Sequence, residues 1–187
     1  MCRGLDPNEI LSREFEYAAQ TAFQAHEDRV RVFTYYLATA GTLLATIVVA
    51  DLTNSTNLLA VFSLLFAGLA ILGFVSLLQL IKLRLAWTDS AHTMCQIKEY
   101  YIKNCDELQL AGAFRWKLET IPPAGKMWTV AFLMALTLAL LSSACVSGAV
   151  FLWGLAAVGG PWIIQSTVAG LLSLVGQLVA WIHFCRG

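Results

Sequence analysis

Four runs of apolar residues set the rhythm of the chain. They extend from Val32 to Ala50, Leu58 to Ile81, Met127 to Phe151 and Trp162 to His183, with no charged residue in the middle of any. Crossing a bilayer takes roughly 20 helical residues, so each run predicts a transmembrane helix. The intervening polar stretches follow a different period. Leu11, Phe15, Ala18 and Ala22 recur at helical spacing and predict one apolar stripe. Asp6, Pro7 and Glu9 stand where an N-cap, a first helical residue and the third residue of a capping box belong. Nothing between this helix and the first span breaks it, so the two are expected to be continuous. Beyond the second span, Leu83, Trp87, Ser90, Met94, Ile97 and Tyr101 alternate steps of four and three, the spacing of a coiled-coil seam. Asp106 and Gln109 are placed to cap a short helix through Phe114 and Trp116, and Pro122 with Pro123 ends it.

Lysine and arginine give this pattern a direction. Arg3, Arg13, Arg29 and Arg31 precede the first span; Lys82, Arg84, Lys98, Lys103, Arg115, Lys117 and Lys126 lie between the second and third; Arg186 follows the fourth. The loops Asp51 to Asn57 and Leu152 to Pro161 contain neither residue type. By the positive-inside rule those two loops face outward and both termini are cytoplasmic. Trp87, Trp128, Trp153, Trp162, Trp181, Tyr35 and Tyr36 fall near span ends, where an apolar ring with one hydrogen-bonding atom is favoured. The expected fold is therefore an all-α integral membrane protein: four transmembrane helices in two outward hairpins, over a small cytosolic helical layer. Its expected parts are a cytosolic amphipathic helix (1–31), a first hairpin (32–81), a cytosolic helical segment (82–126) and a second hairpin with a short tail (127–187). The repeated order of cytosolic helix and hairpin hints at a duplication, with Ala67-Gly68-Leu69 matching Ala169-Gly170-Leu171.

Composition sharpens the class. Of 187 residues, 58% are hydrophobic and 13% charged, against roughly 45–50% and 25% in soluble proteins. Twelve basic residues balance 12 acidic ones, a net charge of zero that offers no pull toward nucleic acid. The first thirty residues are too charged for the apolar core of a signal peptide. The five cysteines form no motif: Cys95 and Cys105 are expected in the reducing cytosol, Cys145 and Cys185 in or beside spans, and Cys2 lacks a lipoprotein signal.

Candidate chemistry is sparse. Ala131, Ala135, Ala139, Ser143 and Ser147 repeat every fourth residue on the third span, as do Ala38, Thr42, Thr46 and Ala50 on the first. Ser166 with Gly170, and Gly176 with Ala180, do so on the fourth. Such ridges let helix backbones approach where lipid supplies no hydrophobic drive. Packing within one subunit is the plain reading; an interface between subunits or a pore lining is the functional one. Gln79, Gln165, Gln177 and scattered hydroxyls are the polar groups of the spans. With no carboxylate, histidine or arginine in their middles, a coupled transporter is not expected, whereas a pore lined by Ser, Thr and Gln remains open. His26, His92 and His183 do not pair for haem, and His92 with Cys95 lacks further zinc ligands. Gly159-Gly160-Pro161 reads as a turn, and the acceptor triplet Asn54-Ser55-Thr56 hugs the membrane too closely for a sugar. No cofactor or metal is expected. The charged groups Glu14, Glu16, Glu27, Asp28, Arg29 and Arg31, with Arg84, Asp89, His92, Lys98 and Glu99, would either solvate their helices or form a docking surface for a cytosolic protein or small ligand.

Glu14-Phe15-Glu16-Tyr17, Arg84-Leu85-Ala86-Trp87 and Ile97-Lys98-Glu99-Tyr100-Tyr101 resemble segments of small uncharacterised bacterial four-span membrane proteins, over roughly residues 12 to 105. The resemblance implies a helical protein of the inner membrane and carries no activity or catalytic residue. In layout alone the chain is also similar to small bacterial effectors that permeabilise membranes in nucleotide-triggered defence. The expected function is non-enzymatic: a homo-oligomeric channel or membrane-permeabilising effector controlled from the cytosolic side. Thr42, Thr46, Ala131, Ala135, Ala139, Ser143 and Gln177 are its expected pore or helix-interface residues. Trp87, Met94 and Tyr101, with the stripe of Leu11, Phe15, Ala18 and Ala22, are the expected cytosolic seam. One alternative is a scaffold that docks a partner on that stripe. A lipid-modifying enzyme is another, with Asp89 and His92 its nearest approach to catalytic groups.

Overall fold

A computed structural model describes residues 6–49, 56–104, 117–158, 160 and 162–186. Among them there are four long helices and no strand: α1 (Pro7–Val49), α2 (Thr56–Asn104), α3 (Val130–Val158) and α4 (Ile163–Arg186), with one 3-10 turn at Leu118–Thr120. All four helices are long and apolar enough to cross a membrane. Asp51, Asn54, Ser55, Gly159 and Pro161 lie outside the described residues, as do Cys2, Cys105 and the expected short helix from Asp106 to Trp116.

Local chemistry explains the helix ends. Asp6 caps α1, its Oδ1 accepting from the Asn8 N–H at 2.9 Å. Glu9 does not close the expected capping box but pairs with Arg13 one turn on, at 2.6 Å. Both residues are exposed, so that pair adds little. Thr129 caps α3, its hydroxyl accepting from the Phe132 N–H at 3.3 Å. Just before it, Trp128 adopts a left-handed φ of 63° and stands 83% exposed. As expected, the long helices α1 and α2 run on well past the apolar stretches, because no proline or glycine pair interrupts either. One boundary differs from expectation. The segment from Leu152, expected as outer loop, stays helical to Val158, since its first breakers are Gly159 and Gly160.

The chain divides into two compact units. One comprises 1–29 and 82–126, the other 30–81 and 127–187. In the first, Ala91, Cys95 and Ile121 form a small core with Trp87 and Leu118 against it. In the second, α3 carries the most buried span, and Ala131, Ala135, Leu138, Ala139, Ser142 and Ser143 are all buried along it.

Candidate functional site

The second unit keeps most of its buried polarity on one line between α3 and α4. Gln177 lies at its centre. Its Oε1 accepts from Ser142 Oγ at 2.8 Å, and its Nε2 donates to Ser173 Oγ at 3.1 Å and Ser143 Oγ at 3.4 Å. Ser166, Gly170, Gln177 and Trp181 are buried along that face of α4. Gly170 is close enough that a Cβ there would collide with Ser147 and approach the Ser143 carbonyl oxygen to 3.2 Å. The ridge of Ala131, Ala135, Ala139 and Ser143 is thus buried within a single chain, and Ser143 and Gln177 hydrogen-bond each other. Replacing Gln177 by leucine is expected to lower stability by about 1–2 kcal/mol, the range of interhelical hydrogen bonds in membranes. Thermal unfolding in detergent would read the loss, and the subunit number should not change.

Two of the aromatic residues expected near span ends are buried. Trp181 is 2% exposed and packs edge-on to Phe132, with its indole nitrogen buried without a hydrogen-bond partner. Tyr36 is 1% exposed, although Tyr35 beside it is open. Both rings lie on the inward faces of their helices, and placement near a span end does not reveal the face. The paired Ala-Gly-Leu triplets also part company. A Cβ on Gly68 would meet nothing within 4 Å, while Gly170 is tightly confined, so they do not play equivalent roles.

On α2 the close approach falls at Gly73. A Cβ there would stand 2.5 Å from Ser142 Cβ and 2.7 Å from the Tyr36 hydroxyl. Farther along, Ser63 Oγ donates to the Ala149 carbonyl at 2.8 Å. α1 behaves otherwise. Ala38, Gly41, Thr42, Ala45 and Thr46 are all exposed, and the most apolar window of α1 is 11% buried, against 22–39% for the other three helices. The Thr42 and Thr46 hydroxyls donate to the carbonyls of Ala38 and Thr42, at 2.7 and 2.8 Å. With those donors satisfied, these small side chains are compatible with lipid or another helix.

In the first unit, Ala18, Ala22 and Ala25 are buried and Leu11 and Phe15 half-buried, so the α1 stripe is largely covered inside the chain. The Lys98 ammonium lies 5.6 Å from the centre of the Phe15 ring. On α2, Trp87, Met94 and Tyr101 are half-buried. Of the charged groups, Arg29 and Arg84 are buried, Asp28, Lys98 and Glu99 are half-buried, and Glu14, Glu16, Glu27, Arg31 and Asp89 are exposed. Arg84 stacks over Trp87, its guanidinium carbon 4.9 Å from the ring centre, and its Nε donates to the Ala124 carbonyl at 3.4 Å. The burial of Arg29 is legible in the sequence only as a continuation: from Ala18 and Ala22 the stripe proceeds to Ala25 and then Arg29.

His92 is half-buried and Asp89 exposed on the same helix, and no group of three or more His, Cys, Asp or Glu side chains among the described residues converges to hold a metal. Compared with known proteins, the chain matches no family model, no curated protein and no solved structure.

Proposed function

We propose that this chain is a non-enzymatic four-span protein of a bacterial inner membrane, with cytoplasmic termini, and that copies associate through α1. The assembly would act as a channel or membrane-permeabilising effector controlled from its cytosolic side. One observation carries the reading: the Thr42–Thr46 face is open, while the other small-residue ridge and its polar partners are occupied within the chain. The lining is accordingly assigned to α1, not to Ser143 and Gln177. The orientation is supported by the confinement of every Lys and Arg to one side of the four apolar runs. The unit built from 1–29 and 82–126 would then be the cytosolic layer through which control is exerted.

A scaffold that docks a partner on Leu11, Phe15, Ala18 and Ala22 has less support, because the alanines of that stripe are already buried. Native mass spectrometry in mild detergent tests the proposal at its base. Discrete oligomers are expected, and a purely monomeric protein would remove the reading. Orientation has its own check. Single cysteines placed in the 51–57 loop should react with a membrane-impermeant maleimide added outside intact cells, and cysteines near Lys117 should not.

A further inference from the structure

Trp128 combines two features that a chain folding in water alone would avoid. Immediately before Thr129, the cap of α3, it is the one non-glycine residue among the described ones with a left-handed backbone, at φ 63°. A bulky side chain is strained there, because its Cβ crowds the following carbonyl oxygen. The ring is also 83% exposed, and no other large hydrophobic side chain among the described residues is as open. Packing within the chain therefore does little to offset the strain, and the compensation has to come from outside it.

The neighbouring side chains indicate its source. Met127 and Val130 flank the ring at 46% and 68% exposure. From Val130, steps of three and four lead through Leu133, Thr137 and Leu140, all exposed. The Thr137 hydroxyl donates to the Leu133 carbonyl, so this outer face of α3 presents little polarity. Phe132 packs edge-on against Trp181, which sets the end of α4 beside the start of α3. Phe184, about one turn beyond Trp181, is 51% exposed. Helices that meet other helices in lipid do so through small residues, and this end of the hairpin is bulky instead. An indole, apolar in its ring and polar at its one N–H, fits the boundary between lipid headgroups and acyl chains.

We propose that Trp128 is an interfacial anchor: the strained backbone holds its indole in the headgroup layer of the cytosolic leaflet and so fixes the depth at which α3 enters the bilayer. The anchor rests on the reading that the helices cross a membrane with both termini inside.

Tryptophan fluorescence of the full chain in nanodiscs is the test, with phosphatidylcholine brominated either near its ester groups or near its chain ends as the quencher. Six tryptophans emit, so the Trp128 signal is the part lost in Trp128→Phe. Trp128→Tyr gives the same subtraction should the phenylalanine variant fail to fold. That part should be quenched about twofold more strongly by the shallow bromines, since the two positions differ by much of a leaflet ~15 Å deep. Leu140→Trp, on the exposed face near the middle of the third apolar run, is the depth reference and should show the reverse order. A Trp128 signal quenched by neither lipid, or no more by the shallow than by the deep bromines, overturns the anchor. If the deep bromines meanwhile quench Leu140→Trp, the spans stand and the anchor alone falls. If neither lipid quenches Leu140→Trp, the spanning reading falls with it. The strain has its own check. Trp128→Gly should unfold at a higher temperature than Trp128→Ala, because glycine accepts that backbone freely. The reverse order also overturns the proposal, by leaving nothing for the membrane to offset.

Discussion

Replacing Gly73 by leucine is expected to destabilise the fold by about 3 kcal/mol or more, the upper range for overpacking a filled interior. A Cβ there would stand 2.5 Å from Ser142 Cβ, which is fixed to the backbone of α3, and 2.7–2.9 Å from the hydroxyl end of the buried Tyr36. Even alanine should be unfavourable. It gains about 1 kcal/mol in helix propensity over glycine, but its single methyl would already overlap both neighbours. Gly68, on the same helix, is the internal control: with nothing within 4 Å, Gly68→Ala should be neutral or stabilising by up to about 1 kcal/mol. Unfolding of the two alanine variants in the same detergent separates packing from propensity. Ser142→Gly in the Gly73→Ala background should recover part of the loss, because it removes the closer of the two obstacles. Equal stability of the two alanine variants would contradict the packing described for α2 and α3.

The second large effect is on assembly and leaves the monomer's fold alone. Thr42→Leu combined with Thr46→Leu should keep the stability within about 0.5 kcal/mol of wild type, as substitutions at open positions do. Both positions are exposed, and their hydroxyls serve only the turn before them. The same pair should shift native mass spectra toward monomer and abolish dye and ion release from liposomes containing the protein. Bulk at a small-residue face prevents the close approach on which helix association in lipid depends. Gln177→Leu is the complementary variant: it should weaken the fold and spare the oligomer. A protein whose release survives the threonine pair and fails with Gln177→Leu would place the lining between α3 and α4.

How far the fold can be read from sequence depends on what each signal measures. Hydrophobic run length locates four helices because a bilayer-crossing segment is set by length and apolarity alone. Continuity of α1 and α2 is legible because Pro7 stands at a helix start and no later proline or glycine pair interrupts either helix. Which face each helix buries is less accessible. In an apolar span both faces are hydrophobic, so periodicity has little contrast there. Proximity to a span end speaks to the depth of Tyr36 and Trp181 and not to the face they occupy, and both are packed inside. The small-residue ridges of α1 and α3 look alike as letters. Only the structure distinguishes them, since Ser143 finds Gln177 within the chain while Thr42 and Thr46 find nothing beyond their own helix. Arg29 and Arg84 illustrate the opposite difficulty. Charge suggests solvent and groups them with the exposed Glu14 and Asp89, although Arg29 completes the same buried stripe as Ala18, Ala22 and Ala25.

Disulfide crosslinking between copies in native membranes tests the assembly most directly. In a protein whose five cysteines have been replaced, Thr42→Cys and Thr46→Cys should each give disulfide-linked dimers on oxidation. Val168→Cys and Leu172→Cys, on an exposed face of α4, should give almost none. That contrast would place α1 of one copy against α1 of the next. Crosslinks absent from the α1 positions, or equally strong at the α4 positions, would contradict the assembly and the channel proposed to depend on it.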